Sequence, residues 1–409
     1  MAVIDAKKSS ADTSAISLLP SGSVLDGVML PRYDPHKRIV DVMKAERMTI
    51  VDADRISGEN VAIEFYNPDQ TLKGRVNMKQ ALFNQKTGIL RADQPVDLVS
   101  DQVSAHGEGL YYSLQNGKGF LLGPAVTRIT TPPDTAMNVP PPLRSTALLG
   151  ISIMPLFAAQ PPIAAPAAAD TESKAPAAAE ANKQTREKLR ADLDLAAETN
   201  REATRFLEEA ELLSTQPVPV TPPEEIKPLE VKTGPTDTVV NCDGGMYFDS
   251  EGGKLVYLRN VHVTDPRFVL SGANELTIVF EKKAPAKTKE PKPSEGTPKP
   301  ADSKDKKAFN MGGSGGGFGE VSKIIATGAV RILQKSPEPG KEPIEASGAL
   351  FTYDVKTGEI VISGGYPWVK QGTYFSRAKQ PNLTLRMLNS GSFSTEGNWE
   401  MGGPLDMKR

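Results

Sequence analysis

The stretch that decides the fold is Gly245-Met-Tyr-Phe-Asp-Ser-Glu-Gly-Gly253-Lys-Leu-Val-Tyr-Leu-Arg-Asn-Val261. A strand with aromatic side chains leads into a glycine turn, and an apolar strand leads away from it. The turn glycine supplies the positive φ that a tight hairpin needs. The stretch therefore predicts a β-hairpin, and a single hairpin cannot bury its own apolar face.

The same unit recurs at residues 81–96, 109–126 and 349–369. Elsewhere apolar and polar residues alternate with a period of two, as in Val61, Ile63 and Phe65, which is typical of strands. Because each hairpin needs a neighbour to cover it, we expect the copies to stack. Repetition in both halves predicts an all-β protein with two related domains of antiparallel strands.

The prolines mark where the β-rich segments end. Sixteen of the 34 prolines lie between Pro132 and Pro235. We therefore predict a β-domain at residues 31–135, a Pro/Ala-rich linker at 136–235 and a second β-domain at 236–405, with a disordered or leader-less terminus at 1–30.

One helix is predicted within the linker, at about residues 180–214. Apolar and small residues recur there at spacings of three and four, which is helical periodicity. We interpret it as a semi-rigid spacer or a weak partner helix. Its predicted seam is Leu189, Leu193, Ala196, Asn200, Ala203, Leu207 and Ala210.

Two further segments are unusual. Residues 146–159 are apolar but too few to span a membrane, which takes about 20 residues; they fit a linker strip packed on a domain, a relic of an export signal, or a membrane contact. Residues 281–319 are rich in Lys, Pro and then Gly. They predict a disordered insertion at a hairpin tip, either a solvated tether or a contact to lipid phosphates.

The composition argues against several kinds of site. Lys and Arg number 48 against 50 Asp and Glu, a net charge of −2, so general attraction to nucleic acid is not indicated. One cysteine, Cys242, permits no internal disulfide, and the three histidines are far apart in sequence. No Ser/His/Asp set or paired-carboxylate motif is present. We therefore predict no enzyme, no cofactor and no metal.

These hairpins resemble the OstA-like fold of the lipopolysaccharide-transport bridge proteins. Residues 31–130, with Tyr33-Asp-Pro35 and Gly123-Pro-Ala-Val126, are similar to LptC. Residues 238–390, with Asp243-Gly-Gly-Met-Tyr-Phe-Asp249 and Ala349-Leu-Phe-Thr-Tyr-Asp354, are similar to LptA. The resemblance implies two open β-jellyrolls, each shaped like a taco, whose sheets leave an apolar trough.

The resemblance also implies a function and a location. It implies lipopolysaccharide or glycolipid transport in outer membrane biogenesis, with acyl chains shielded in the trough. Implied partners are other Lpt-type β-jellyrolls, joined by edge-strand pairing, and an inner-membrane ABC transporter complex. The implied location is the periplasm, with inner-membrane association as one of its forms. Residues 1–30 contain no visible signal or anchor, which indicates a missing leader or another export route.

The predicted trough-lining side chains are apolar residues of the alternating strands. In the first domain they are Ile63, Phe65, Leu90, Leu98, Phe120 and Leu122, and in the second they are Met246, Phe248, Leu255, Tyr257, Phe268, Leu270, Ile278, Phe280, Ile332 and Val361. A register shift of one residue would reverse the assignment in any strand. Two alternatives stay open: a structural or adhesive β-repeat envelope protein that binds no lipid, and a glycan-processing enzyme on a β-scaffold.

Overall fold

A computed structural model describes residues 19–100, 103–130, 175–213, 237–281, 321–335, 342–387 and 393–403. Within these residues the chain forms one antiparallel sheet of 22 strands and one helix. This confirms the predicted all-β class with a single helix in the Pro-rich region. The apolar stretch 146–159 and nearly all of the insertion 281–319 lie outside the described residues.

Ten of the described strands precede the helix. They are β1 (Val24–Tyr33), β2 (Ile39–Ile50), β3 (Arg55–Tyr66), β4 (Leu72–Asn84), β5 (Ile89–Ala92), β6 (Val96–Ser100), β7 (Val103–Gly107), β8 (Gly109–Ser113), β9 (Lys118–Leu122) and β10 (Ala125–Thr130).

The helix α1 (Ala175–Leu213) is followed by the other twelve described strands. They are β11 (Asp237–Cys242), β12 (Met246–Asp249), β13 (Lys254–Thr264), β14 (Phe268–Phe280), β15 (Val321–Gln334), β16 (Ile344–Asp354), β17 (Glu359–Ser363), β18 (Trp368–Gln371), β19 (Tyr374–Ala378), β20 (Thr384–Met387), β21 (Phe393–Thr395) and β22 (Trp399–Gly402).

The sheet is folded along its length into two leaves. One leaf contains β5, β8, β9, β12, β17 and β20, and the other contains β6, β7, β10, β11, β18 and β19. The long strands β4, β13 and β16 pair with short strands of both leaves, so they cross from one leaf to the other. Because α1 lies on the first leaf, we call it the covered leaf and its counterpart the uncovered leaf.

The fold line between the leaves coincides with interruptions of the strand ladder. The register of β13, β14 and β15 shifts near their midpoints, as bulged and sharply bent strands do. Gly272 and Gly328 lie at these shifts with φ of 74° and 122°. A Cβ at Gly272 would lie 2.3 Å from the Ala329 carbonyl oxygen, so the bend requires glycine there both for backbone conformation and for space.

Three of the four recurring hairpins lie side by side in the covered leaf, and the fourth follows beyond β14 and β15. The end of β4 pairs with β5, β5 with β8, β8 with β9, β9 with β12 and β12 with β13, and further along β16 pairs with β17. This is the stacking that the repeated sequence predicted. Strands β14 and β15 pair antiparallel, with Phe280 at the end of β14 opposite Val321 at the start of β15. The predicted insertion between them stays a prediction.

The β-segments before and after the helix join edge to edge. Strand β9 pairs with β12 in the covered leaf, and β10 pairs with β11 in the uncovered leaf. One continuous sheet results, although about a hundred residues separate β10 from β11 in sequence. The predicted division into two β-domains concerns independent folding units and stays a prediction.

The helix α1 crosses the outer face of the covered leaf. Leu189 and Ala196 belong to a cluster with residues of β15, β16 and β17, and Ala203 to one with residues of β9, β12 and β13. Ala210 clusters with Ile89 and Tyr111 of β5 and β8. From Leu189 to Ala210 the helix rises ~32 Å, which matches six strand spacings of about 4.8 Å.

The buried residues of the helix correct part of the predicted seam. The apolar ones, Leu189, Ala196, Ala203 and Ala210, are seven positions apart, and Asp192 and Thr199 are buried between them. Leu193 of the predicted seam is exposed. Polar residues complete the interface. Asp192 pairs with Lys323 at 2.6 Å, and Glu202 pairs with Lys118. Of the two interpretations offered by the sequence, the partner helix is the one observed.

Candidate functional site

The space between the two leaves is filled by one apolar cluster. Its buried side chains extend from Met43 in β2 to Met387 in β20 and include residues of both β-segments. In the uncovered leaf the strands alternate between buried and accessible positions, as Ala125–Thr130 does. The inner positions of that leaf contact the covered leaf, so the enclosed apolar interior continues through both segments. We call this cluster the interior.

Three aromatic rings connect the two leaves and the two β-segments at one place in the interior. Phe65 of the uncovered leaf lies 5.8 Å from Tyr112 and 6.3 Å from Phe248, both in the covered leaf, between ring centroids. Tyr112 and Phe248 stack at 6.2 Å. The sequence predicted an open trough, whereas side chains from opposite leaves meet here. Large aromatic side chains on both leaves reach far enough to close the gap.

Most of the sixteen predicted lining residues point into this interior. They are Ile63, Phe65, Leu98, Phe268, Leu270 and Ile332 from the uncovered leaf, and Leu90, Met246, Phe248, Leu255, Tyr257, Ile278 and Phe280 from the covered leaf. Each is at least nine-tenths buried. Contact of any of them with a lipid stays a prediction.

The other three predicted residues point away from the interior, towards α1. Phe120 and Leu122 of β9 and Val361 of β17 contribute to the clusters beneath the helix. Their neighbours Leu121 and Ile362 point inward instead. Both faces of the covered leaf are apolar because the helix buries the outer face, so alternation in these strands cannot tell the two faces apart.

A polar cluster joins the leaves near Phe65. Arg32 donates to the Asp41 carboxylate at 2.8 Å from Nε, and Tyr112 donates to the same carboxylate oxygen at 3.1 Å. Asp41 is fully buried, and its other oxygen, Oδ1, has no hydrogen-bond partner among the described residues. Burial raises the pKa of Asp41 above its usual range, although the Arg32 bonds oppose this.

Further contacts of the same cluster reach the turn between β12 and β13. Arg32 donates from Nη1 to Glu251 at 2.8 Å, and Lys73 Nζ donates to the Ser250 carbonyl. Arg32, Asp41 and Lys73 belong to the uncovered leaf, and the other groups belong to the covered leaf. We call this cluster (Arg32, Asp41, Lys73, Tyr112, Ser250, Glu251) the first clasp.

A second clasp joins the leaves within the later segment and consists of Thr238, Asp265, Arg267 and Tyr353. Arg267 donates to Asp265 at 2.8 Å and to the Tyr353 hydroxyl at 2.6 Å, while its guanidinium lies 5.2 Å from the Tyr353 ring centroid. Thr238 donates to Asp265 at 2.6 Å. Tyr353 is in the covered leaf, and the other three residues belong to the uncovered leaf or its tip.

The surroundings shift the pKa values of the two clasp carboxylates, Asp41 and Asp265, in opposite directions. Burial alone would raise the pKa of Asp265, but the bonds and charge of Arg267 and the Thr238 hydroxyl lower it below its usual value. Both oxygens of Asp265 accept hydrogen bonds. The Asp41 carboxylate instead has one unpaired buried oxygen, which explains why desolvation dominates there.

Asp265→Asn is expected to lower the free energy of unfolding at pH 7 by about 2 kcal/mol, because hydrogen bonds to a charged group are worth ~1.5–3 kcal/mol. The folded-state pKa of Asp265 lies below the unfolded value of about 3.9. Its stabilisation is therefore complete above that value and is lost as the pH falls through the folded-state pKa. Urea unfolding is measured from about pH 5 down to about pH 2. The difference in the free energy of unfolding between wild type and variant should become smaller as the pH falls.

Asp41→Asn is the matched control for that prediction. Because the folded-state pKa of Asp41 is raised, its ionisation reduces stability as the pH rises from the unfolded to the folded value. The gap between wild type and this variant should therefore change with pH in the opposite direction. If the stability difference between wild type and variant changed with pH in the same direction for both variants, the opposite pKa shifts assigned to Asp41 and Asp265 would be contradicted.

A cavity of about 390 Å³ opens beside the first clasp, on the side of the molecule where the leaf tips meet. Three cationic side chains, Arg32, Arg38 and Lys73, line it together with the carboxylates of Asp34 and Glu251, and Phe65 of the interior forms part of its wall. The cavity therefore combines ion-paired cationic groups, in excess of the carboxylates that line it, with an apolar wall that leads inward. We call this side of the molecule the mouth.

The sequence analysis did not find the clasps. Arg32, Asp41 and Tyr112 are far apart in sequence, and no motif connects them. The one local signal is Asp41 itself, a carboxylate at an inward position of the apolar run Ile39–Met43. An acid in such a position must find partners from other elements, since unpaired buried charges are costly.

The described residues offer little for metal binding or nucleophilic chemistry. No three of their His, Cys, Asp and Glu side chains form a group that could hold a metal ion. Cys242 is buried, donates to the Gly245 carbonyl oxygen at 3.2 Å and has its thiol pKa raised by burial, which disfavours the reactive thiolate. Within the described part of the chain, no helix combines the length and the apolarity that crossing a bilayer requires.

Comparison with solved structures finds several chains that resemble this one. One of them is LptH of Pseudomonas aeruginosa. LptH is the LptA-homologous periplasmic component of a lipopolysaccharide transport device, and the match has a TM-score of 0.28 and 16% identity over 41% of this chain and 95% of LptH. No protein-family model matches the sequence, and a search of curated proteins finds no match.

Proposed function

We propose that the chain is a non-enzymatic transport and binding protein for lipopolysaccharide or a related glycolipid of the cell envelope. The observation that carries the proposal is the single apolar interior, which continues between two leaves of one sheet through both β-segments. Removing each CH₂ of an acyl chain from water is worth ~0.8 kcal/mol. A continuous apolar path therefore suits a lipid with several acyl chains.

Lipid binding would replace contacts that the protein now makes with itself. Phe65, Tyr112 and Phe248 meet across the interior, so a bound chain would lie between side chains that are in contact without it. Because one apolar contact replaces another, the apolar surface of the protein that is exposed to water stays nearly the same. The lipid-lining residues that we propose are the thirteen inward-pointing members of the predicted set.

The two ends of the sheet support a bridging role. Among the described strands, β1 pairs only with β2, β22 only with β19, and β21 only with β20. Both edges carry exposed apolar side chains, including Met29 on β1 and Met401 on β22. Unpaired edges are templates for strand addition. We propose Lpt-type β-jellyrolls, an inner-membrane ABC transporter complex and a periplasmic location as the setting.

Photocrosslinking tests the proposal. A benzoylphenylalanine residue at Phe248 or Phe280, both in the interior, is expected to form an adduct with purified lipopolysaccharide on irradiation. Phe280 lies at a strand end, where the larger side chain disturbs less of the interior than at Phe248. Adducts are detected by gel mobility and by lipopolysaccharide immunoblot, and circular dichroism verifies that each variant retains its β-structure.

The matched control is the same substitution at Phe375, which is 47% exposed on the outside of β19. An adduct at both interior positions and none at Phe375 supports the proposal. Absence of adducts at the interior positions of folded variants, or equal yields at all three, would overturn it.

The alternative function is a structural or adhesive β-repeat envelope protein that binds no lipid. The filled interior favours this alternative, because its side chains already meet across the gap between the leaves. The same crosslinking experiment separates the two functions, since the alternative gives no interior adduct.

A further inference from the structure

The outer face of the covered leaf is packed against the helix, whereas the outer face of the uncovered leaf has no described element on it. The helix crosses the covered leaf and is tied to it by buried contacts and by ion pairs such as Asp192–Lys323 and Lys118–Glu202. Among the described elements, none lies on the outer face of β6, β7, β10 and β11, where positions such as Val99 and Asn241 are accessible. The uncovered leaf is therefore the freer of the two to move.

The mouth is closed by polar contacts, in contrast to the apolar interior behind it. At the first clasp Tyr112 reaches Asp41, Arg32 reaches Glu251 and Lys73 reaches the Ser250 carbonyl, and each of these three contacts crosses from one leaf to the other. Glu251 is exposed and Lys73 is half-buried, so their contacts regain hydrogen bonds from water when they separate and part at a small net cost. Tyr112 and Asp41 are buried, and they would be hydrated only once the mouth opens. Apolar groups that separate have no such compensation.

The cavity at the mouth lies where this parting would connect solvent to the interior. Phe65 forms part of its wall, and the same ring contacts Tyr112 and Phe248 inside. An acyl chain that passes Phe65 would leave its polar end among three cationic side chains and two carboxylates, with an excess of positive charge; these are Arg32, Arg38, Lys73, Asp34 and Glu251. The lining therefore suits an amphiphile with one acyl chain end inside and an anionic group at the surface.

We infer that acyl chains reach the interior sideways, through a portal at the first clasp that opens when the uncovered leaf moves away from the covered leaf. The inference rests on the proposed function, because it supplies the route to the interior that binds the lipid. The three contacts across the mouth act as the latch of this portal. They oppose opening, and their loss accelerates uptake.

A triple variant tests the latch while preserving the apolar packing. Tyr112→Phe keeps the stacked ring and removes its hydroxyl, Lys73→Met keeps an unbranched side chain, and Glu251→Gln removes a charge that is already 55% exposed. The probe is cis-parinaric acid, a single fluorescent acyl chain with a carboxylate. Its fluorescence gain on entering an apolar site is followed by stopped flow.

The rate of fluorescence gain is expected to rise at least about tenfold in the triple variant, which corresponds to ~1.4 kcal/mol of barrier. Arg331→Ala is the control, since it removes an ion pair with Glu345 that lies away from the mouth; it should leave the rate unchanged. Urea unfolding is measured on all proteins, and Tyr112→Phe alone serves as a second variant if the triple variant does not fold.

The outcomes separate the portal from the proposed function. Faster uptake in the latch variants than in wild type and Arg331→Ala supports the portal. Uptake at the same rate in all of them overturns the portal and leaves the lipid-binding function standing. Absence of fluorescence gain in every folded protein, together with absence of interior adducts with lipopolysaccharide, overturns both.

Discussion

Ala203→Asp is expected to lower the free energy of unfolding by about 3–5 kcal/mol, the range for an uncompensated buried charge. Ala203 is 0% exposed and is clustered with Phe120, Tyr247 and Val256 beneath the helix. An aspartate there places both extra volume and a charge against these rings. The expected result is a helix that separates from the covered leaf.

The measurement combines urea unfolding with amide hydrogen exchange of α1. Most of the stability of a helix in a protein comes from the tertiary packing of its buried face, so the loss of contact should appear as faster exchange along α1 and reduced helical circular dichroism. Ala197→Asp is the matched control, because the same substitution falls on an exposed helix position. Equal losses of stability in the two variants would show that the packing of α1 on the covered leaf does not stabilise the fold.

Phe248→Ala is the second large effect, with an expected loss of about 3–5 kcal/mol, as for other buried aromatic truncations. Phe248 is 0% exposed and contacts Phe65 and Tyr112 of the other β-segment. Removal of the ring therefore leaves a cavity where the leaves and the segments meet. Surrounding strands are fixed by their ladders, so the site cannot collapse fully around the void.

Phe375→Ala is the control for that loss. Phe375 is about half exposed in β19, the strand beside the edge strand β22, and its truncation should cost less than about 1 kcal/mol, as surface substitutions generally do. Urea unfolding monitored by circular dichroism measures both variants. A loss at Phe248 no larger than the loss at Phe375 would show that the aromatic contact between the segments contributes little to stability.

Local patterns in the sequence predicted the hairpins and their stacking. A glycine turn between apolar strands specifies a hairpin locally, and the apolar face of residues 81–96 requires a neighbour. The same holds for the helix, whose position the spacing predicted within a few residues. Predictions of this kind succeed because the backbone preferences and the apolar periodicity belong to the segment itself.

The lining residues show where local pattern stops being informative. Phe120 and Leu121 are adjacent apolar residues of β9, yet one points to the helix and the other into the interior. Strands that are buried on both faces carry no alternation to distinguish them. In the uncovered leaf, whose outer face is accessible, the predicted Leu98 and Ile63 point inward as alternation indicated.

The sequence by itself determined an all-β chain with four like hairpins and one helix, because these follow from short-range turn chemistry and periodicity. Only the tertiary structure decided that β9 and β10 continue into β12 and β11, that α1 covers one leaf, and that Arg32, Asp41 and Tyr112 meet at the mouth. Those contacts join residues that are tens to more than a hundred positions apart. Their partners are selected by shape and charge complementarity in the folded chain, which no local stretch of sequence contains.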